Sequence, residues 1–188
     1  MTSNSGKLGV LHILHMYTFG LLKRLYGWVL SWAHKKYASS ALFLVAFAES
    51  SFFPIPPDVL QMALSVSKPK KSFFYALISS IGSVLGGIFG YFIGFFLFDA
   101  VGKLIIDALG YQAQFNAVGE LYKSYAFLAI LTAAFTPIPY KVFTIAAGFW
   151  KVGLVPLVAA SVIGRSARFF LVATLFYFFG PKIKEFID

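Results

Sequence analysis

The sequence contains no cysteine. That excludes disulfide bridges and thiolate metal centres, and leaves the redox compartment open. Charge is scarce as well. Acidic residues number 7 and charged residues amount to 12% of the chain, against about 25% in an ordinary soluble domain. A water-facing exterior cannot be assembled from so few polar groups. Histidine is limited to His12, His15 and His34, all ahead of the main apolar segments. His12 and His15 share a helical face but lack a third ligand, so no metal site is expected. There is no glycine-rich phosphate loop and no nucleophile with its base, so neither a cofactor nor an enzymatic activity is expected.

What is present is apolar. Hydrophobic residues make up 59% and aromatic residues 19% of the 188 positions, and the formal net charge is +9. In a soluble chain that charge would suggest nucleic acid. Here the lysines and arginines flank apolar runs, which is how membrane topology is encoded. The composition therefore points to a single all-α integral membrane domain, with no nucleic-acid partner. His12 and His15 interrupt the first apolar stretch, so a cleavable signal peptide is not expected.

Residues 1–37 read as an arm followed by an amphipathic helix lying in the membrane interface. Leu21, Leu22, Leu25, Trp28, Val29 and Trp32 share one face, with Lys23, Arg24 and Lys35 elsewhere. The membrane domain spans 38–182, and 183–188 forms a tail. Ala38 to Val66 is apolar except for Glu49 and Asp58, and is broken by Pro54, Pro56 and Pro57. Each proline removes a donor and clashes one turn back, so no continuous helix can run through. Lys35 and Lys36 precede this segment, and Lys68, Lys70 and Lys71 follow it. Basic groups at both ends place both ends in the cytoplasm, which makes the segment re-entrant.

Ser72 to Phe98 carries no charge and reads as a span. Gly82, Gly86, Gly90 and Gly94 recur every fourth residue along it, a stripe where another helix can approach closely. The stretch from Asp99 to Ser124 holds Asp99, Asp107 and Glu120 and suits the outer side. Tyr125 to Trp150 repeats the broken pattern with Pro137, Pro139 and Lys141, and Leu154 to Phe179 is the last span, closed by Gly180-Pro181. In this topology ten basic residues lie inside (Lys7, Lys23, Arg24, Lys35, Lys36, Lys68, Lys70, Lys71, Lys182 and Lys184). Three lie outside: Lys103, Lys123 and Lys151.

A shift of 83 residues places Phe52, Pro54, Ile55, Pro56, Val59 and Ala63 on the identical Phe135, Pro137, Ile138, Pro139, Val142 and Ala146. Repeat one covers about 38–98 and repeat two about 125–180. One copy enters from each side, so the expected architecture is an inverted repeat with two proline-broken re-entrant hairpins, an arrangement used by transporters.

Glu49, Asp58, Lys141, Arg165 and Arg168 are the interior charges. Each costs roughly 3 kcal/mol at a helix centre, so five exposed to lipid would cost on the order of 15 kcal/mol. They must face an interior or a wet cavity. Arg165 and Arg168, three apart, share a helix face. Their partners are Glu49, Asp58 or a bidentately bound phosphate. Burial raises a carboxylate's pKa and a basic neighbour lowers it, so Glu49 and Asp58 are also candidates for a proton switch.

The stretch Phe47-Ala48-Glu49-Ser50-Ser51-Phe52-Phe53-Pro54-Ile55-Pro56-Pro57-Asp58, the ladder ending Gly90-Tyr91-Phe92-Ile93-Gly94, and Phe135-Thr136-Pro137-Ile138-Pro139-Tyr140-Lys141 through Ala147-Gly148 resemble the DedA family. They are most similar to its YqaA-type branch, within the VTT/SNARE-associated superfamily. The resemblance implies a bacterial inner-membrane protein with two facing re-entrant hairpins. It also implies a flippase or scramblase for lipids such as undecaprenyl phosphate, coupled to protons in some members. Glu49 and Asp58 match the family acids. The arginines that the better-studied branch carries around the second break are absent: Ala134 and Thr136 precede it and Lys141 follows. Partners implied are membrane lipids with anionic phosphate headgroups; protons and self-association are allowed but not required. Two rival readings are a proton-coupled transporter of small ions or drugs, and a structural membrane-organising protein whose charges only pair internally.

Overall fold

A computed structural model describes residues 37–187, with side chains through 179; the expected N-terminal amphipathic helix and the three histidines lie outside the described residues. Within them every regular element is helical. Helix α1 runs Ala38–Ser51 and α2 runs Pro57–Ser67. A 3-10 turn at Pro69–Lys71 leads into α3, Ser72–Leu97. A π turn at Phe98–Gly102 carries the chain into α4, Lys103–Leu109. Then come α5 (Gln112–Phe135), α6 (Tyr140–Phe149) and α7 (Leu154–Ile187).

The prolines set both breaks. Pro56 is extended at φ −68°, ψ 132°, and Pro57 opens α2, where its missing donor has no helical partner to lose. Pro139 is likewise extended and caps α6. The starts of α2 and α6, at 57 and 140, differ by the 83 residues of the sequence repeat.

Three boundaries differ from the sequence reading. The span beginning at Ser72 does not stop near Phe98. It continues helically to Leu109 and ends at Gly110 in the left-handed region, φ 68°. Gly110 carries no Cβ, which makes that conformation easy. The acidic stretch beyond Asp99 is therefore helical, and the second broken segment begins at Gln112 rather than Tyr125. Finally, α7 passes through Gly180-Pro181 to Ile187. A proline pushes its predecessor out of the helix by clashing with that residue's Cβ and N–H, and Gly180 lacks the Cβ.

Helices α3 and α7 pack against each other at the centre. Glycines set the closest approaches. A Cβ on Gly82 would lie 2.6 Å from the Phe43 carbonyl oxygen, and one on Gly86 would overlap the Phe47 backbone. One on Gly90 would lie 2.8 Å from Thr144 Oγ1, and one on Gly94 would overlap the Ile145 backbone. The ladder thus serves α1 with its first half and α6 with its second. Both run parallel to α3. Gly164 on α7 packs in the same way on Leu131 and Ala134 of α5.

The contacts between elements are crossed. Each long helix carries the first arm of its own half, α1 on α3 and α5 on α7. Each also carries the second arm of the other half, α6 on α3 and α2 on α7. Two of the apolar clusters among the described residues fill most of the body. One joins Leu42 of α1, Leu60 and Leu64 of α2 and Tyr75 of α3. The other joins Tyr91, Ile130, Tyr140 and Leu157.

Among the described residues two helical segments, Pro69–Leu109 and Leu154–Phe179, are long and apolar enough to cross a bilayer. Their outward faces carry Phe89, Phe92, Phe96, Val162, Leu171 and Phe178, all exposed. An apolar outer surface this extensive suits lipid rather than water.

Candidate functional site

All five interior charges converge where the two proline breaks meet α3 and α7. Arg165, close to the midpoint of the Leu154–Phe179 span, is 3% exposed and donates from Nη2 to Glu49 Oε2 at 2.8 Å. Its guanidinium lies within cation–π distance of two aromatic rings, 5.1 Å from the centroid of Tyr140 and 4.8 Å from that of Phe169. Both rings offset part of the cost of burying the cation. Tyr140 is held by a hydrogen bond to Ser161.

Serines close the remaining valences. Arg165 Nε donates to Ser83 Oγ. Ser83 and Ser50 hydroxyls lie 2.7 Å apart, and Ser50 Oγ donates to Glu49 Oε2 at 3.1 Å. The charges fix the direction of every proton. Arg165 can only donate and the Glu49 carboxylate can only accept, so Ser83 donates to Ser50. The result is a closed ring from guanidinium through two hydroxyls to carboxylate. Ser50 sits beside Glu49 in sequence, and Ser83 faces inward between Gly82 and Gly86. That buried-stripe register was the available signal for two residues that charge reasoning alone passed over.

The second pair is one turn away. Arg168 grips Asp58 with both ends of its fork, Nε to Oδ1 at 3.1 Å and Nη2 to Oδ2 at 2.8 Å. Asp58 stands in the first turn of α2, where the helix dipole favours an anion. Arg168 Nη1 also donates to the Thr136 carbonyl at 2.8 Å, so α7 ties the first broken segment to the second. The arginine of this pair is the more exposed, Arg168 at 25% against 3% for Arg165, while Asp58 and Glu49 are alike at 14%.

Lys141 differs from the arginines. It donates to the Phe53 carbonyl at 2.7 Å, and among the described residues it makes no salt bridge. In an unbroken helix the Phe53 carbonyl would accept the N–H four residues on, where Pro57 has none. A lysine from the second half thus caps a carbonyl that a first-half proline leaves open. The two acids neutralise the two arginines, and among the described residues Lys141 has no acid of its own. The proline tips beside it, Pro54, Pro56, Pro137 and Pro139, are exposed. No group of three or more metal-ligating side chains occurs among the described residues.

Comparison with known proteins fits this geometry. The VTT domain family model matches residues 53–178, the stretch from the first proline break to the end of the last apolar span. This chain belongs to the VTT-domain family. It is thereby a membrane protein of DedA type, and the VTT match takes in Asp58, Lys141, Arg165 and Arg168, with Glu49 just ahead of it. Two bacterial relatives are similar along most of their length. An uncharacterized protein of Haemophilus influenzae is 40% identical over 158 residues, 84% of this chain and 82% of the relative. A homologous uncharacterized protein of Histophilus somni is 37% identical over the same shares. No solved structure matches significantly.

Proposed function

We propose that this VTT-domain protein moves lipids bearing an anionic phosphate headgroup across a bacterial inner membrane, as a flippase or scramblase. The observation that carries the reading is Lys141. It is a cation among apolar helices, beside exposed proline tips, bonded to a backbone carbonyl and, among the described residues, to no carboxylate. A hydrogen bond to a carbonyl leaves its positive charge unneutralised, and the low local dielectric magnifies its pull on an anion. Undecaprenyl phosphate or a phospholipid phosphate supplies such an anion at the depth a lipid headgroup must pass.

In this reading the α1–α2 and α5–α6 pairs are re-entrant hairpins of an inverted repeat. Their tips face each other beside α3. Helix register supports it. Gly82 and Gly86 meet Phe43 and Phe47, so α1 rises alongside α3, and the Leu60–Leu64 end of α2 returns toward Tyr75 near the start of α3. In the other pair Gly119 of α5 lies against Trp150 at the end of α6, so those arms open toward the opposite end. Irregular backbone at such depth is tolerated where it lines protein or a wet cavity.

The test is headgroup flipping in proteoliposomes over several lipids, with wild type against Lys141→Gln. Flux with wild type that exceeds protein-free vesicles and drops with the variant supports the reading. Equal flux in all three vesicle types refutes it. A structural role is the second reading. It is favoured by the two complete ion pairs, Glu49–Arg165 and Asp58–Arg168, which brace the first half against α7.

A further inference from the structure

Among the described residues four buried side-chain polar atoms have no hydrogen-bond partner, the indole nitrogen of Trp150 and three oxygens, Gln61 Oε1, Ser65 Oγ and Ser79 Oγ. Gln61, Ser65 and Ser79 are each 0% exposed. Buried oxygens of this kind are satisfied by protein or by ordered water almost without exception. Other serines here take the local route. Ser80 donates to the carbonyl of Ala76, and Ser161 to that of Leu157, each one turn back. Ser65 and Ser79 do not.

Gln61 and Ser65 lie on α2 and Ser79 on α3, and α2, α3 and α7 pack against one another. Gln61 Nε2 donates to the Phe169 carbonyl of α7 at 2.9 Å. Phe169 packs in one cluster with Ala76 of α3. Ser79 follows Ala76 by one turn of α3, and Ser83, one turn further, bonds Arg165, itself one turn from Phe169 on α7. Ser65 follows Gln61 by one turn on α2. Successive turns lie about 5.4 Å apart, close to the span of one water bridging two partners by hydrogen bonds of about 2.8 Å.

We infer that Gln61, Ser65 and Ser79 form a buried water-binding site that hydrates the Arg165–Ser83–Ser50–Glu49 ring from inside the protein. Its ligand is one water or a short file of waters, each accepting or donating among three oxygens that the fold leaves unpartnered. Ser83 receives from Arg165 and donates to Ser50, which leaves one lone pair for a water donated from the Ser79 side. Hydration then reaches the buried ion pair without opening the lipid-facing surface. The inference stands apart from lipid movement and holds or fails whether or not the protein transports anything.

Radiolytic hydroxyl-radical labelling of the full chain in nanodiscs tests it, because bound water generates radicals next to side chains that bulk radicals cannot reach. Phe169 and Leu42 are both 0% exposed, but Leu42 lies in a cluster of aliphatic side chains and Tyr75. Normalised for intrinsic reactivity, Phe169 should label at least tenfold faster than Leu42, and Gln61→Leu with Ser79→Ala should bring it down to the Leu42 level. Phe169 labelling as slowly as Leu42 in the wild type overturns the site. Thermal melting gives an independent reading. A dry, unpaired hydroxyl is a burden that Ser79→Ala would lift, so a raised melting temperature also overturns it. An unchanged or lowered one supports it.

Discussion

Lys141, on the helix after the second proline break, donates a 2.7 Å hydrogen bond to the carbonyl of Phe53 in the first. Arg168 on α7 donates to the Thr136 carbonyl of the second break while holding Asp58 after the first. The irregular backbone of each break is thus completed by a cation from elsewhere in the chain. Backbone conformation and interior charge are two aspects of one arrangement, so changing a charge also changes how a break is held.

Lys141→Gln should keep the fold, because an amide still donates to the Phe53 carbonyl. It should cut headgroup flipping by about 10- to 100-fold, the worth of one hydrogen bond to a charged group, roughly 1.5–3 kcal/mol. Flux assays paired with size-exclusion profiles separate lost activity from lost folding.

Glu49→Gln strands Arg165, which is 3% exposed. The expected cost is about 3–5 kcal/mol for a buried pair robbed of one partner. Asp58→Asn should cost less, since Arg168 is 25% exposed and keeps its bond to Thr136. Adding Arg165→Gln to Glu49→Gln should restore part of the lost stability, and a double-mutant cycle by thermal melting measures that coupling. Additive losses would contradict the pairing. A stable Glu49→Gln protein without activity would instead mark Glu49 as part of a transport site.

Gly94→Ala should be far more damaging than Gly110→Ala. The new methyl at 94 would overlap the Ile145 backbone, which cannot rotate away, and overpacking of this kind costs about 1–3 kcal/mol or more. At Gly110 there is open space, and only the left-handed φ of 68° opposes the change, about 1–2 kcal/mol. Melting temperatures in detergent rank the two.

Single cysteines at Tyr37 and Lys70 should react with an impermeant maleimide from one side of the membrane, and one at Gln112 from the other. The native chain has no cysteine, so the background is clean. Tyr37 and Lys70 labelling from opposite sides would remove the re-entrant arrangement.

Much of this was legible because prolines and glycines act locally. Pro57 and Pro139 dictate where α2 and α6 begin whatever surrounds them, and the four-residue glycine spacing announces a close helix contact. The five interior charges stood out for the same reason, as costs that only partners could offset. Which acid meets which arginine was not legible, since it depends on how α1 and α2 lie against α7, a matter of long-range packing. Ser50 and Ser83 escaped notice because serine is unremarkable in sequence and becomes informative only when buried beside a guanidinium. The helix continuing from Leu97 to Leu109 was missed for another reason. Asp99, Lys103 and Asp107 look like the polar end of a span, but charges one turn apart are compatible with a continuing helix, as Lys103 and Asp99 show by pairing at 3.3 Å.

The crossed contacts of the arms have a consequence for biogenesis. During synthesis α1, α2 and α3 are made first, yet α6, which covers one surface of α3, and α7, on which α2 rests, do not exist until most of the chain has been made. Until α7 arrives, Glu49 and Asp58 lack Arg165 and Arg168, the guanidiniums they meet in the finished fold. The first half must therefore wait in the membrane as an incomplete, acid-bearing intermediate. A chain truncated before Arg165 should be recognised as unfinished and degraded, rather than persist as a stable half-domain.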